Sequence, residues 1–320
     1  MAAPELNIHG LTRPELAREF LFRGLTAHQA RLTFQAIYRH GLFSPGEMPE
    51  ISATCRKFLA SLPPPPQSTL DEVRHALDGT IKLRVKTAAG DAVESVIIPA
   101  QRRLTLCVSS QVGCAAGCTF CHTGTMGLLR NLSAWEILEQ LRLANKVVAE
   151  KAASSADSTG GGGGAKPPRV TNIVFMGMGE PLHNEANVLQ ACRILNDDVG
   201  AGFSRRHIIM SSAGVGNRIR PFWEQNAALI AVSLHATTDE QRSRIVPLNR
   251  QWNVDALRQI LLDIPWRNGE SVTIAYLLLD GFNDSKEDAL RLAGWIKGLP
   301  AKINLLSKQY QLLYLILMIN

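Results

Sequence analysis

The chain has 320 residues, of which 46% are hydrophobic and 19% are charged, and its formal net charge is +6. These values exclude an intrinsically disordered chain and allow one large domain with a smaller one beside it. The positive excess is too small to identify an anionic partner, and we expect the basic residues at 102–103, 205–207 and 242–250 to face solvent. No apolar run approaches the ~20 residues that cross a bilayer, so we predict no membrane-spanning helix.

Helical periodicity characterises the first part of the chain. Leu16 and Phe20 lie about one helical turn apart, and Ala30 and Phe34 repeat this spacing. We therefore predict a small helical domain over residues 1–66, which a run of prolines terminates. We interpret it as an accessory domain of an RNA-binding kind.

Two runs of alternating hydrophobic and polar residues follow the prolines. Residues 81–85 and 93–98 alternate as strands do, and the Ala-Gly-Asp sequence between them is typical of a turn. We predict that residues 67–100 form a β-hairpin connector to the main domain.

From residue 101 to residue 306, short β-rich runs alternate with helical stretches. Units of this kind predict a parallel sheet with right-handed crossovers, and we expect an α/β fold in the form of a partial (β/α)6 barrel. The strands are predicted near residues 105–108, 172–176, 207–210, 228–234, 272–278 and 302–305. The helices are predicted at 134–150, 185–196, 215–225, 239–244 with 253–263, and 286–297.

Two segments depart from this β/α pattern. The serine- and glycine-rich segment 152–168 has the composition of a flexible insert, and it lacks the Gly-Lys-Ser/Thr ending of a phosphate-binding loop. The final residues, 307–320, form an atypical apolar tail that we expect to promote aggregation.

Three cysteines with asymmetric spacing are the most informative feature of the chain. Cys114, Cys118 and Cys121 follow the first predicted core strand in a C-x3-C-x2-C arrangement. Three thiolates on a [4Fe-4S] cube leave one iron without a protein ligand, and that iron can bind a substrate or a cofactor. Zinc is the alternative, with His122 or a distant side chain as fourth ligand, although a second cysteine pair is lacking.

Four predicted strand ends carry residues suited to binding a ligand, and in parallel β/α folds such ends form the functional site. The first end is followed by the cysteine loop. The others carry Gly179 and Glu180, Ser211, and Ser233 with His235. A single strand-end serine or histidine is more often structural, but their coincidence at successive ends indicates one shared site.

Short motifs extend this pattern along the chain. They are Val-Glu-Ser-Val at 93–96, Cys-Val-Ser-Ser-Gln-Val-Gly-Cys at 107–114, Arg-Asn-Leu at 130–132, Gly-Met-Gly-Glu-Pro-Leu at 177–182, Ser-Leu-His-Ala at 233–236, Ile-Val-Pro-Leu-Asn at 245–249 and Leu-Asp-Gly-Phe-Asn-Asp at 279–284. Together with the cysteine motif, in which Phe120 precedes the third cysteine, they resemble the RlmN/Cfr family of radical S-adenosylmethionine (SAM) RNA methyltransferases. The resemblance extends to residue 305.

The resemblance implies a [4Fe-4S] cluster, SAM, and methylation of C2 of an adenine in large-subunit ribosomal RNA, with transfer RNA as a further substrate. This carbon is not nucleophilic, so the family proceeds through a methyl-cysteine intermediate rather than by direct displacement. It also implies an electron donor such as flavodoxin or ferredoxin. We expect a cytoplasmic monomer without a membrane partner, with an organellar form as the alternative.

Residue roles are carried over from the resemblance. Cys114, Cys118 and Cys121 are implied as the cluster ligands. Glu94 is implied as a proton acceptor, and Cys107 as the thiolate that resolves a protein–RNA crosslink. The residues implied to contact SAM are Phe120, Met176, Gly179, Glu180, Ser211, Ser233, Leu234 and His235.

The sequence departs from the family pattern after residue 306. The family's Asn-Pro-containing SAM loop and its methyl-carrying cysteine have no counterpart here, and we expect Cys55 and Cys192 to be buried structural thiols. We therefore hypothesise a truncated or alternatively spliced product. Two other interpretations stay open: a radical SAM protein that binds its cofactors without completing methyl transfer, and a non-catalytic RNA- or zinc-binding module.

Overall fold

The structure is a computed structural model that describes residues 7–157 and 168–307. The strands are β1 Thr69–His75, β2 Ile81–Lys86, β3 Ala92–Ala100, β4 Arg103–Cys107, β5 Gln111–Cys114, β6 Gly127–Asn131, β7 Asn172–Phe175, β8 Ile208–Ser212, β9 Leu229–Ser233, β10 Val272–Leu278 and β11 Ala301–Ser307. The helices are α1 Arg13–Phe22, α2 Ala27–Gln35, α3 Ala53–Ala60, α4 His122–Thr125, α5 Ala134–Asp157, α6 Glu185–Asn196, α7 Gly216–Glu224, α8 Asp239–Ile245, α9 Val254–Leu262 and α10 Lys286–Ile296.

The main sheet combines an antiparallel part and a parallel part. Its strand order is β1-β2-β3-β4-β7-β8-β9-β10-β11, with antiparallel pairs up to β4 and parallel pairs from β4 onward. Strands β5 and β6 form a separate antiparallel pair. The carboxyl ends of the parallel strands therefore lie along one edge, where functional groups gather in such folds.

The parallel strands occur where the hydrophobic runs predicted them, and the α/β fold is confirmed. Buried aliphatic residues hold these strands against the helices: Leu106, Ile173, Ile208, Ile230 and Ile274 are each at most 1% exposed. Burial of one such side chain contributes roughly 1.5–3 kcal/mol, so the row accounts for a large share of the stability of the fold.

Strand β1 and the β5–β6 pair are absent from the sequence-based expectation. The sequence of β1 is Thr-Leu-Asp-Glu-Val-Arg-His, and most of its side chains are only half-buried because it lies at the edge of the sheet. Charged residues of this kind are common on edge strands and weaken the hydrophobic alternation that identifies a strand. The predicted hairpin strands are β2 and β3, and β1 adds a third antiparallel strand beside them.

Helix α5 is longer than predicted. It continues to Asp157, so the first residues of the expected flexible insert at 152–168 are helical. Residues 151–157 contain neither glycine nor proline, and their alanines favour the continuation of the helix. Residues 158–167 and the apolar tail from residue 308 lie outside the described residues.

The N-terminal helices contact the β/α part through polar groups. The Nε of Arg13 lies 2.9 Å from Oδ2 of Asp197, and the side chain of Gln190 donates to the carbonyl of Gly10 at 3.0 Å. These contacts attach α1 and the segment before it to α6 and the loop that follows α6. Within the described residues, no helix combines the length and apolar character needed to cross a membrane.

Candidate functional site

The cysteine loop begins at the end of a strand and finishes at the start of a short helix. Cys114 is the last residue of β5, and the N–H of Ala116 donates to its Sγ at 3.4 Å. Cys121 immediately precedes α4, and its N–H donates to the carbonyl of Cys118 at 3.1 Å. The β5–β6 pair and this turn thus bring the three cysteines into one loop.

Gly113 shows how closely β6 approaches the strand that carries Cys114. Its φ is +77°, and a Cβ at this position would lie only 1.9 Å from the carbonyl oxygen of Gly127. Side chains other than glycine rarely adopt this backbone conformation, and no carbonyl tolerates a carbon at that distance. Glycine is therefore required here for the local pairing of β5 with β6.

The cysteine side chains form a set of interacting thiols. Burial raises the pKa of Cys114 to about 11 and that of Cys118 to about 12, and the charge of Cys121 contributes in the same direction to both. Metal binding by these thiols would therefore release protons. Among the described residues, no three His, Cys, Asp or Glu side chains converge on the position of a single metal ion. Three thiol donors in one loop fit the ligand set of a [4Fe-4S] cluster.

The cysteine loop rests on the segment that follows α8. The N–H of Thr119 donates to the carbonyl of Ile245 at 3.0 Å. Cys118 and Phe120 pack against a buried apolar cluster that includes Ile245 and Val246. The Ile-Val-Pro-Leu-Asn motif thus supports the cysteine loop, a role that the sequence did not reveal.

Glu180 is a buried carboxylate that links three parts of the site. Its Oε2 accepts the N–H of Ala213 at 2.7 Å, and its Oε1 accepts the N–H of Leu182 at 3.0 Å. Its own N–H donates to Oε1 of Gln111 at 2.8 Å. Burial raises the pKa of Glu180 to about 7, although the N–H donors act in the opposite direction. The carboxyl group can therefore gain or lose a proton near neutral pH.

Gly179 permits a close approach between two loops of the site. Its φ is +102°, and a Cβ there would lie 2.6 Å from the Cβ of Gln111 and 2.8 Å from the backbone nitrogen of the same residue. The family resemblance implies that Gly179 contacts SAM. In the structure it is Gln111, next to the cysteine loop, that requires the absence of a side chain.

The two strand-end serines are neighbours. Ser211 in β8 and Ser233 at the end of β9 have their Oγ atoms 3.5 Å apart. Leu234 follows and is fully buried; its N–H donates to the carbonyl of Ala275 at 3.0 Å. The serine hydroxyls thus form a small polar pair, and the buried side chain of Leu234 follows directly in the chain.

His235 is buried beside the cysteine loop in a left-handed backbone conformation, with φ of +59°. Its Nδ1 accepts the N–H of Leu277 at 3.1 Å, and its ring meets the ring of Phe120 edge-on with centroids 5.0 Å apart. Burial, and to a lesser extent the charge of Arg242, lowers the pKa of His235 to about 3. The imidazole is therefore neutral, with its proton on Nε2.

Cys107 and Glu94 lie on the same face of the antiparallel strands. Both Cys107 and Lys82 pair with Val96 across the sheet, and Glu94 is two residues before Val96. The Nζ of Lys82 lies 2.6 Å from Oε1 of Glu94, and the exposed fractions of the two side chains are 7% and 22%. Glu94, the predicted proton acceptor, is thus a partly exposed carboxylate that pairs with a nearly buried lysine.

The thiol of Cys107 is buried at the end of β4. Burial raises its pKa to about 12, and a hydrogen bond with the backbone of Met176 partly opposes this effect. Met176 directly follows β7, and its side chain is 39% exposed. The thiolate role that the resemblance implies for Cys107 therefore requires a group that removes its proton.

Three residues of the site were missed by the sequence analysis. Gln111 contacts Glu180, and Lys82 contacts Glu94. Gln111 lies within the motif at 107–114, which was a signal for it, whereas no motif indicated Lys82. Arg242 was expected to be exposed together with its basic neighbours, and this expectation is wrong because its side chain is 0% exposed. Net charge along a sequence does not distinguish a solvated arginine from one enclosed by backbone carbonyls.

Comparison with protein-family models gives no match. A dual-specificity RNA methyltransferase RlmN 2 of Myxococcus xanthus is 42% identical over 283 residues, which are 88% of this chain and 72% of that protein. A dual-specificity RNA methyltransferase RlmN of Paracoccus denitrificans is 40% identical over 94% of this chain and 76% of that protein. The chain belongs to the RlmN family. A crystal structure of a radical SAM methyltransferase from Sphaerobacter thermophilus matches with a TM-score of 0.81 and 35% identity, over 94% of this chain and 84% of that one.

Membership of the RlmN family implies a [4Fe-4S] cluster and SAM as cofactors. In this RlmN-family chain Gln111, on the strand that ends at Cys114, bonds Glu180, and Phe120 of the cysteine loop contacts His235. Glu180 in turn accepts the N–H of Ala213, just after the strand that carries Ser211. The donor chemistry of the cysteine loop fits such a cluster.

The buried Glu180 gives a testable dependence of stability on pH. Its pKa is raised from 4.5 to about 7, so between these values the folded protein keeps a proton that the unfolded chain releases. The free energy of unfolding should therefore fall as pH rises through this window. We expect Glu180→Gln to remove this part of the pH dependence, measured by urea unfolding of both proteins from about pH 5 to about pH 8. Parallel curves for the two proteins would contradict the expectation.

Proposed function

We propose that this chain is a radical SAM methyltransferase that acts on an adenine carbon in RNA. The observation that carries the proposal is that the three-cysteine loop contacts His235 and follows the strand whose Gln111 bonds Glu180, in a chain of the RlmN family. The proposed substrate is large-subunit ribosomal RNA, with transfer RNA as a second substrate, as the family resemblance implies; relatives are named dual-specificity RNA methyltransferases.

The cofactors have proposed holders among the residues of the site. Cys114, Cys118 and Cys121 would hold the [4Fe-4S] cluster, which leaves one iron open for SAM. When bound, the pair supplies radical chemistry, for which an electron donor such as flavodoxin or ferredoxin is needed. Glu180 is suited to accept hydrogen bonds from the amino group of SAM, because a carboxylate pairs with a positively charged donor.

The remaining residues would bind and orient SAM. The hydroxyls of Ser211 and Ser233 can donate to a carboxylate or accept from ribose hydroxyls. His235 is neutral and offers its Nε2–H as a donor, while Phe120 beside it presents an aromatic surface suited to adenine. The packing of Phe120 against the cluster around Val246 helps to exclude water from this end of the site.

Cys107 and Glu94 are the proposed groups for proton handling near the base. Glu94 is the more accessible of the two, and it forms an ion pair with Lys82. The proton on Cys107 must be removed before its sulfur can act as a nucleophile. We propose C2 as the methylated position, following the family assignment.

The proposal is tested by incubating reconstituted protein with reductant, methyl-labelled SAM and ribosomal or transfer RNA under anaerobic conditions. We expect label in RNA that elutes as 2-methyladenosine after digestion to nucleosides. Label in 8-methyladenosine would revise the position, and label on an adenine nitrogen would contradict the proposed chemistry. SAM cleavage without labelled RNA would instead support a protein that binds its cofactors without completing transfer.

A further inference from the structure

Arg242 is a charged side chain that the proposed function leaves unused. It lies on α8 and is fully buried. Each hydrogen-bond acceptor of its guanidinium in the described part of the chain is an uncharged oxygen. These acceptors are the carbonyls of Ala213, Ser233, Leu234 and Trp252 and the Oδ1 of Asn249. A buried guanidinium is costly unless charge nearby balances it, so its counter-charge requires an explanation.

The guanidinium binds the ends of two neighbouring strands. Its Nη2 donates to the carbonyl of Ala213, just after β8, at 2.7 Å, and to that of Ser233, at the end of β9, at 3.2 Å. Its Nε donates to the carbonyl of Leu234 at 3.0 Å. Glu180 accepts the N–H of the same Ala213. The backbone beside the serine pair is therefore fixed from both sides, by a carboxylate and by a guanidinium.

The same arginine is connected to the cysteine loop. The N–H of Val246 donates to the carbonyl of Arg242 at 2.7 Å, and Val246 belongs to the apolar cluster against which Cys118 packs. The Nη1 of Arg242 donates to Oδ1 of Asn249 at 3.0 Å, at the end of the motif that supports the loop. Arg242 thus bonds both the strand ends, through its guanidinium, and the segment on which the cysteine loop packs, through its backbone carbonyl and Asn249.

Arg242 also interacts electrostatically with the cysteine loop. Burial lowers the pKa of Arg242 to about 10, and the charge of Cys118 acts in the opposite direction. The charge of Asp239 acts in the same direction as that of Cys118, and its carboxylate is linked to the guanidinium through Asn249, whose Nδ2 donates to Oδ1 of Asp239 at 3.0 Å. Thiolates bound to iron would add their negative charge to that of Asp239.

We propose that Arg242 is a positioning residue whose charge is balanced by the cysteine-held cluster and whose hydrogen bonds fix the strand ends that bind SAM. The inference rests on the proposed function and deepens it. It gives Arg242 two separable effects. The positive charge raises the reduction potential of the cluster, because it favours the more negative reduced state. The hydrogen bonds strengthen SAM binding by holding the serine pair in place.

The two effects are separated with Arg242→Gln, which removes the charge, and Arg242→Lys, which keeps the charge but not the fork of donors. Arg250→Gln is the matched control, because Arg250 is exposed. Each protein is reconstituted with iron and sulfide, and the reduction potential is measured without SAM by spectroscopically monitored titration. The dissociation constant of SAM is then measured on the same samples.

We expect Arg242→Gln to lower the equilibrium constant for cluster reduction about tenfold, which corresponds to about 59 mV for one electron. Arg242→Lys should keep a potential close to that of the parent and weaken SAM binding about tenfold, a loss typical of outer-shell substitutions. The Arg250→Gln control should match the parent in both measurements. If Arg242→Gln does not fold, Arg242→Lys carries the test through SAM affinity, which should fall while the potential stays close to that of the parent.

An Arg242 variant that folds and matches the control in both potential and SAM affinity would overturn the inference alone. If the parent protein itself assembles no iron-sulfur cluster, the proposed function fails and the inference with it. Thermal unfolding of each apoprotein, measured first, shows whether a loss of SAM binding merely follows a loss of folding.

Discussion

Replacement of Cys118 by alanine is expected to abolish reductive cleavage of SAM. With Cys118 lost, the loop has two of its three thiols, and a [4Fe-4S] cluster then has two irons without protein ligands. Loss of an outer-shell partner alone costs a metal site about 10–100-fold, so loss of a ligand should lower 5′-deoxyadenosine formation by more than about 100-fold. Iron and sulfide content after anaerobic reconstitution, measured beside the product, should fall in parallel.

Cys192→Ala is the matched control for this experiment. Cys192 is also a free cysteine, but it is buried on α6 and its pKa is raised by burial alone. We expect a modest loss of stability from the small cavity and an unchanged iron content. Equal loss of iron in both variants would show that iron binding does not depend on the cysteine loop, and would contradict the assignment of Cys118.

Replacement of Gly113 by alanine is expected to disrupt the cysteine loop from its backbone. The added Cβ would lie 1.9 Å from the carbonyl oxygen of Gly127, and the residue would keep a φ of +77°. A left-handed alanine costs about 1–2 kcal/mol, and overpacking adds about 1–3 kcal/mol. We expect the free energy of unfolding to fall by about 3 kcal/mol or more, measured with urea, and cluster content to fall with it.

Gly127→Ala separates the clash from the backbone conformation. Gly127 also has a positive φ, +70°, but a Cβ there meets no atom within 4 Å. The variant should therefore lose only about 1 kcal/mol and keep its cluster. If the two alanine variants were equally stable, the close approach of β6 to β5 in the structure would be wrong.

The fold was predictable because the central parallel strands β8, β9 and β10 are largely buried. Such strands appear in sequence as short, nearly continuous hydrophobic runs, and β8, β9 and β10 were each found in this way. Functional residues directly follow these runs, so the spacing of Glu180 and the serine pair along the chain was informative. The cysteine loop was recognisable because its ligands are close in sequence.

The contacts that hold the site together were not predictable, because they join residues distant in sequence. Gln111 meets Glu180 across 69 positions in the chain. The close approach of Gln111 also requires glycine at position 179. Arg242 resembles any other basic residue until the fold encloses it among the carbonyls of β8 and β9. The local sequence motifs thus indicated which residues form the site. The residues that hold them in place are determined by tertiary packing, which the motifs do not show.

The central claim is that this chain performs radical SAM chemistry at the site built around the cysteine loop. The most direct test is the amount of 5′-deoxyadenosine formed by the anaerobically reconstituted protein with SAM and reductant, in the presence and absence of RNA. We expect formation that requires both reductant and the iron-sulfur cluster, and that is lost in Cys118→Ala but not in Cys192→Ala. A protein that assembles its cluster and binds SAM, yet forms no 5′-deoxyadenosine under any of these conditions, would contradict the claim.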